Sequence, residues 1–355
     1  MNGICLPTRG EWQQLLDDAI VTPRVLARRL GLDHAVLEAV AQQFPLRINP
    51  YYLSLIQGPG DPIWRQCIPD PAELADPDGF ADPLAEDPLE TTDHLIHRYP
   101  DRALLLVHQQ CAVNCRFCMR RRRVGRSATK PSNRWDAALG HIAATAAIRE
   151  VILSGGDPLL LSTDHLAGLL ARLRAIEHVE IIRIHTRVPC TLPQRITDRL
   201  AQMLRGFHPL YVNTHFNHPM ELTPQAAKAC ATLADAGIPL GCQTVLLKGI
   251  NDDVETLRRL MRGLLRMRVK PYYLHHPDPV RGTGHFRLAP DRGVVLMKAL
   301  RGHVSGMAVP HYVVDLPGGG GKVPLTPDYV IRREPGRWVL HNYQGGCYDY
   351  PADGC

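Results

Sequence analysis

The chain has 355 residues, 45% hydrophobic and 21% charged, the balance of an ordinary globular protein long enough to bury a large core. Its formal charge of +6 is mild for that length and gives no reason to invoke nucleic acid. No apolar run is long enough for a signal peptide or a membrane span, so a cytoplasmic protein with no membrane contact is expected.

The first hundred residues read as mainly helical with loops. Apolar residues recur at helical spacing in EWQQLLDDAI and DHAVLEAVAQQF, and a Pro- and Asp-rich stretch follows, DPIWRQCIPDPAELADPDGFADPLAEDPLE. Prolines at this density exclude long helix and regular sheet. Trp64, Ile68 and Leu74 punctuate the stretch and predict an ordered wrap around the rest of the molecule.

From about residue 103 short apolar runs alternate with amphipathic segments. Strands are predicted at ALLLV (103–107), EVILSG (150–155), VEIIRIHT (179–186), LYVNTH (210–215), GCQTVLL (241–247) and PYYLHH (271–276). Helices are predicted in DHLAGLLARLRAI, ITDRLAQMLRGF, PQAAKACATLADAG and DVETLRRLMRGLLRM. Such alternation means a parallel sheet wound by right-handed crossovers, and six units suggest an α/β barrel left incomplete. Functional groups gather at strand C-termini in such folds. Polar residues fall there: Gly155, Gly156 and Asp157, then His185 and Arg187, His215, and finally His275 and His276. From about residue 309, VPHYVVDLPGGGGKVPL and RWVLHNYQGGCYDY predict short antiparallel strands flanking a glycine loop. The chain thus divides into an N-terminal, mainly helical wrap (1–100), a partial barrel (101–308) and a small C-terminal extension (309–355).

Ten cysteines without a secretory signal argue for metal or redox chemistry over a disulfide framework. Cys111, Cys115 and Cys118 sit together in CAVNCRFC, directly after the first predicted barrel strand, while the other seven are scattered. Three thiolates at this spacing suit a four-iron cluster with one iron left open. Zinc is the rival, but a structural zinc site wants four ligands and no second pair is evident. C-x3-C-x2-C with Phe117 before the last cysteine resembles the radical S-adenosylmethionine (SAM) superfamily, and GGDP at 155–158 resembles its glycine-rich SAM-binding motif. The resemblance implies a partial (β/α)6 barrel holding a 4Fe–4S cluster and SAM, with Gly155, Gly156 and Asp157 at the SAM methionyl group.

PGGGGK (317–322) is not a phosphate-binding P-loop, because Val323 follows the lysine where Ser or Thr is required. A lysine ending a flexible glycine loop can form a Schiff base with a cofactor or can simply be solvated. DLPGGGGKVPLTPDYV closely resembles the segment of the lysine 2,3-aminomutase family whose lysine carries pyridoxal phosphate (PLP). The likeness extends through NPYYLSLI, HRYPDRALLL, VEIIRIHTRVPCTLPQRIT, VNTHFNHPMELT, ADAGIPLGCQTVLLKGIND and RGTGHFR. It implies Lys322 as the PLP lysine, Arg98 and Arg102 for the PLP phosphate, and Tyr99 against the ring. It adds His215 and Gln243 as cofactor contacts and Arg120 as the clamp on the substrate carboxylate. The remaining arginines of the run, Arg121 to Arg123, are expected on a solvated face.

A lysine substrate brings an ε-ammonium that a dry pocket must pair, and Asp278 and Asp315 stand at the family positions that hold it. The implied reaction is an isomerisation: a 5′-deoxyadenosyl radical takes hydrogen from C3 of L-lysine and the nitrogen moves from C2 to C3. Free lysine is the implied substrate and flavodoxin or ferredoxin the electron donor. Long members carry a cysteine-rich tail that binds zinc between subunits; this chain ends at YPADGC, with Asp253 at the partner-ligand position. A homo-oligomer without interchain zinc is therefore expected. Short chains of this kind resemble the enzyme that supplies (R)-β-lysine for elongation factor P. Three alternatives stay open: a glutamate 2,3-aminomutase, which should lack the aspartate pair; an RNA-modifying radical SAM enzyme, which should carry a second cluster or RNA domain; and a non-catalytic cluster protein, which needs neither Lys322 nor Arg120.

Overall fold

The computed structural model describes residues 10–352 apart from residue 77 and residues 126–134. Its centre is a ten-stranded sheet in chain order: β1 (Glu90–Thr92), β2 (Leu95–Tyr99), β3 (Arg102–His108), β4 (Glu150–Gly155), β5 (Ile181–His185), β6 (Leu210–Thr214), β7 (Leu240–Val245), β8 (Lys270–His275), β9 (His311–Leu316) and β10 (Gly321–Pro324). Neighbours from β3 to β9 are parallel. The β1–β2, β2–β3 and β9–β10 pairs are antiparallel.

Among the described residues six helices of eight residues or more connect the parallel strands: Asp136–Ala144, Thr163–Arg174, Asp198–Arg205, Pro224–Asp235, Val254–Arg266 and Pro290–Leu300. Each presents an apolar stripe at helical spacing. In Thr163–Arg174 the buried residues are Leu166, Leu169, Leu170 and Leu173; in Val254–Arg266 they are Leu257, Leu260, Met261 and Leu264. Side-chain caps start them where the sequence offers hydroxyls or carboxylates: Ser162 Oγ accepts from His165 N at 3.2 Å, and Asp253 Oδ1 from Thr256 N at 2.9 Å.

The period of two along the strands separates helix-facing from lumen-facing residues. Val151, Leu153, Ile182, Ile184, Cys242 and Leu274 are buried on one face. Ile152, Ser154, Arg183, His185, Gln243, Tyr273 and His275 alternate with them and line the central cavity. Sequence alternation therefore decides which residues reach the site.

β9 adds a seventh parallel strand to the six expected. It pairs parallel to β8, with Tyr273 opposite His311, and antiparallel to β10, with Asp315 opposite Lys322. The glycine loop thus hangs from a barrel strand. Lys322 N donates to Tyr99 Oη at 3.0 Å, bringing β10 against β2 near the seam of the sheet. β1 and β2, within the region expected to be helical, extend the sheet at the other edge.

The Pro- and Asp-rich stretch is an ordered wrap. Phe80 forms a parallel bridge with Val280, and Asp76 Oδ2 accepts from Thr283 N, Gly284 N and Arg287 Nη2 at 2.8–3.0 Å. Ile68 is buried as expected, whereas Leu74 is exposed. A separate antiparallel sheet, β11 (Val330–Glu334), β12 (Arg337–His341) and β13 (Cys347–Pro351), ends the described chain. Among the described residues no helix is long and apolar enough to cross a membrane.

Candidate active site

One cavity of about 640 Å³ occupies the barrel lumen and its C-terminal mouth. Every residue singled out from the sequence as a cofactor, substrate or cluster ligand lines it.

Cys111, Cys115 and Cys118 lie on the loop after β3. The N-terminal wrap pins that loop, with Asn114 N donating to Arg47 O and Arg116 N to Gln66 O, both at 2.9 Å. Burial, reinforced by the Asp157 carboxylate, pushes the Cys111 thiol well up. Burial and Cys115 push Cys118 up to about 11. Such thiols stay protonated at neutral pH until a metal displaces the proton. Among the described residues no three His, Cys, Asp or Glu side chains converge as they would around a single metal ion. Cys67, Cys190, Cys230 and Cys242 are buried packing thiols and Cys347 is exposed; Cys5 and Cys355 lie outside the described residues.

Arg187, which the strand-end pattern touched without assigning a role, joins the cysteine loop to the surrounding polar network. Its Nη1 donates to Cys115 Sγ at 2.6 Å. Its Nη2 contacts Glu221 and Gln66 at 2.6 Å and Tyr52 at 3.1 Å. Burial opposes the guanidinium charge, but Cys115, Tyr52 and Glu221 outweigh it and hold the pKa well above normal.

Gly155 has φ +116°, and a Cβ there would stand 2.4 Å from His108 O; a Cβ on Gly156 would stand 2.3 Å from Gln110 O. Only glycine lets β4 end so close to the cysteine loop. Asp157 turns inward: its carboxylate accepts from Thr186 Oγ1 at 2.6 Å and Arg187 N at 2.7 Å, and burial pushes it up to about 6. His215 Nε2 lies 2.9 Å from Asn217 Oδ1. Burial, followed by Arg187, pushes its imidazole down to about 3, so it is neutral. Gln243 faces the same space, and the neighbouring Thr214 Oγ1 is buried with no partner among the described residues.

Lys322 Nζ lies 2.8 Å from Asp315 Oδ1. Asp315 also neighbours His275 Nδ1 at 3.5 Å and Arg98 Nη1 at 3.7 Å. Burial opposes its charge, but His275 and Lys322 overcome that and hold the carboxyl at about 2. For Asp278, burial and the nearby Asp315 charge outweigh the pull of Lys322 and Arg120 and push it up to about 7. Arg102 stacks 3.9 Å over the Tyr99 ring. Arg98 Nε is buried with no partner among the described residues, a donor suited to an anionic ligand.

The arginine run departs from the solvated face expected of it. Arg121 is buried and pairs with Glu73. Arg122 reaches Asp82 at 2.8 Å, Arg123 reaches Asp87 and Glu90, and Arg120 holds Glu86. The wrap supplies all these carboxylates, so its acidic composition and the basic run are two halves of one interface. Glu86 also lines the cavity. Only this complementarity of charge could have flagged it.

The family model described as Radical SAM superfamily matches residues 105–261, and that described as Lysine-2,3-aminomutase matches residues 297–354. The chain is 47% identical over 343 residues to L-lysine 2,3-aminomutase of Fusobacterium nucleatum, covering 95% of this chain and 81% of that protein. It is 46% identical over 346 residues to L-lysine 2,3-aminomutase of Clostridium subterminale, covering 95% and 82%. Glutamate 2,3-aminomutase of Clostridioides difficile is 43% identical over 341 residues, covering 94% and 80%. A barrel with this cysteine loop and glycine-loop lysine, matched over nearly its whole length, belongs to the lysine 2,3-aminomutase family of radical SAM enzymes.

Proposed function

We propose that the protein is an L-lysine 2,3-aminomutase, converting L-α-lysine to β-lysine with a 4Fe–4S cluster, SAM and PLP. The observation that carries this reading is that Lys322, the three cysteines, Arg120, Asp278 and Asp315 all face one cavity. Cys111, Cys115 and Cys118 would hold the cluster. Gly155, Gly156, Asp157, His215 and Gln243 would seat SAM, with neutral His215 acting as a hydrogen-bonding group. Lys322, Arg98, Tyr99 and Arg102 would hold PLP. When bound, these groups supply hydrogen-abstracting radical chemistry and a carbonyl to which an amine can be tied.

The chain's own residues orient the substrate. Arg120 grips the α-carboxylate with charge-assisted hydrogen bonds, and Asp278 and Asp315 neutralise the ε-ammonium at the far end. Asp315 becomes available to that ammonium only when Lys322 Nζ is engaged elsewhere. Closing charged groups at both ends fixes C2 and C3 and keeps water from the reacting carbons.

Asp278 makes lysine capture pH-dependent. In the ligand-free protein it is half-protonated near its value of about 7. An ε-ammonium favours the ionised carboxylate, so binding below that pH must expel a proton. The value of kcat/KM for L-lysine should therefore rise by up to about tenfold per pH unit below about 7 and level off above it. In Asp278→Asn this limb should vanish from the profile, whatever the absolute rate.

In this reading the enzyme is cytoplasmic and acts on free lysine, with flavodoxin or ferredoxin delivering the electron. It forms a homo-oligomer without interchain zinc, in keeping with the use of Asp253 as a helix cap. Supply of (R)-β-lysine for elongation factor P is the role suggested by the resemblance to short members of the family, with lysine degradation and β-lysine osmolyte synthesis as the alternative roles. Anaerobic reconstitution with iron, sulfide, SAM, PLP and reductant, given isotopically labelled L-lysine or L-glutamate, tests the activity. β-Lysine that disappears in Cys115→Ala supports the reading. β-Glutamate instead overturns the substrate assignment, and neither product from loaded protein overturns the reaction.

A further inference from the structure

We propose that Glu86 is a positioning residue for substrate recognition: it occupies the Nε/Nη2 edge of the Arg120 guanidinium and leaves the adjacent Nη1/Nη2 edge for an α-carboxylate. This rests on the proposed role of Arg120 above.

An arginine has five N–H donors in a planar fork. Arg120 Nε lies 2.9 and 3.2 Å from the two Glu86 carboxylate oxygens, and Nη2 lies 2.6 Å from Oε1. Nη1 donates to Ser154 Oγ at 3.2 Å. These bonds use the Nε/Nη2 edge and one hydrogen of Nη1. One N–H on each terminal nitrogen remains among the described residues, and these two form the edge that matches a carboxylate bidentately. Glu86, Arg120 and Ser154 all line the cavity.

Glu86 is suited to hold rather than to follow. Its side chain is 3% exposed and its second oxygen lies 3.9 Å from Arg122 Nη2. The segment bearing it is pinned by Asp87 N donating to Asp82 at 2.8 Å, by the Arg122–Asp82 pair at 2.8 Å, and by Arg98 Nη2 donating to Leu84 O at 2.7 Å. An arginine side chain free in an open lumen would lose rotamer entropy on gripping a ligand. Glu86 takes that loss during folding. It also neutralises Arg120, so capture depends on the planar fork of a carboxylate more than on net negative charge.

The test uses the reconstituted holoenzyme in wild-type, Glu86→Gln, Glu86→Asp and Arg120→Lys forms. L-Lysine is the substrate and L-lysinamide, which lacks the carboxylate, is the competing ligand. Glu86→Gln should raise KM for L-lysine by about 10- to 100-fold with kcat within about threefold of wild type. The inhibition constant of L-lysinamide should move by less than about threefold, because that ligand never used the fork. If Glu86→Gln does not fold, Glu86→Asp serves: its carboxylate is retracted by one methylene, and it should show the same KM-selective change at about threefold or more. Equal losses in kcat and KM, or equal weakening of lysine and lysinamide, would mean a merely structural ion pair and overturn the proposal. Arg120→Lys separates the two layers. If it leaves the preference for lysine over lysinamide intact, the Arg120 reading fails and this proposal with it. If it abolishes the preference while the Glu86 variants keep it, only the role of Glu86 is lost.

Discussion

Lys322→Ala is expected to lose PLP on gel filtration, seen as loss of the cofactor absorbance band, and to cut β-lysine formation by more than about 1,000-fold. The fold should survive. Lys322 sits on β10 with its side chain 29% exposed, and the bond that ties this position to Tyr99 comes from its backbone N–H. What changes is local charge: Asp315 loses the Lys322 ammonium at 2.8 Å, which leaves it, among the described residues, the His275 imidazole at 3.5 Å and the Arg98 guanidinium at 3.7 Å. Lys322→Arg is the control. It returns a cation to Asp315 but offers no amine that can condense with a carbonyl, so it should restore local electrostatics without restoring PLP retention or turnover. An active Lys322→Arg enzyme would remove Lys322 from its proposed role.

Much of the fold and site was legible because local chemistry declared it. The strands announced themselves by apolar runs between amphipathic helices, and alternation along them put His185, Gln243 and His275 on the lumen side. Three cysteines within eight residues and a lysine ending four glycines are dense enough to stand out alone. Charge partnership was harder to see. Arg121 to Arg123 look solvated in isolation because Glu73, Asp82, Asp87 and Glu90 come from a proline-rich stretch whose path has no periodicity to read. Glu86 and Arg187 carry no such sequence signal for the same reason: each meets a site residue distant in sequence, Arg120 and Cys115 respectively. The apolar alternation of β9 predicts only its antiparallel pairing beside the glycine loop, since it is silent about which edge meets β8. A short strand with two edges can pair both ways, and here it does.

Glu73→Gln should be the most destabilising single change in the wrap. The Glu73 side chain is fully buried, accepts from Arg116 Nε at 2.9 Å and Nη2 at 2.6 Å, and pairs with Arg121. Oε1 also takes Asp70 N at 2.9 Å, closing the turn that presents the carboxylate. Removing this charge strands two buried guanidiniums, a loss of about 3–5 kcal/mol against a total stability of about 5–15 kcal/mol. For a chain of this size the thermal midpoint should fall by about 4–7 °C. Burial opposes the Glu73 charge, but Arg116 and Arg121 outweigh it and hold the carboxyl below its ordinary range. Its contribution is therefore complete above the unfolded value of about 4.3 and fades as pH falls through the depressed one. The gap between wild type and variant, followed by thermal or urea unfolding, should narrow on acidification. Arg121→Met added to Glu73→Gln should recover part of the loss, because one stranded charge then disappears with its partner. Arg116 lies between Cys115 and Phe117, so the same change should slow cluster loading even where the protein remains folded. A loss below about 1 kcal/mol, unchanged by the second substitution, would mean that the triad is screened as a surface pair is and that packing alone fastens the wrap to the cysteine loop.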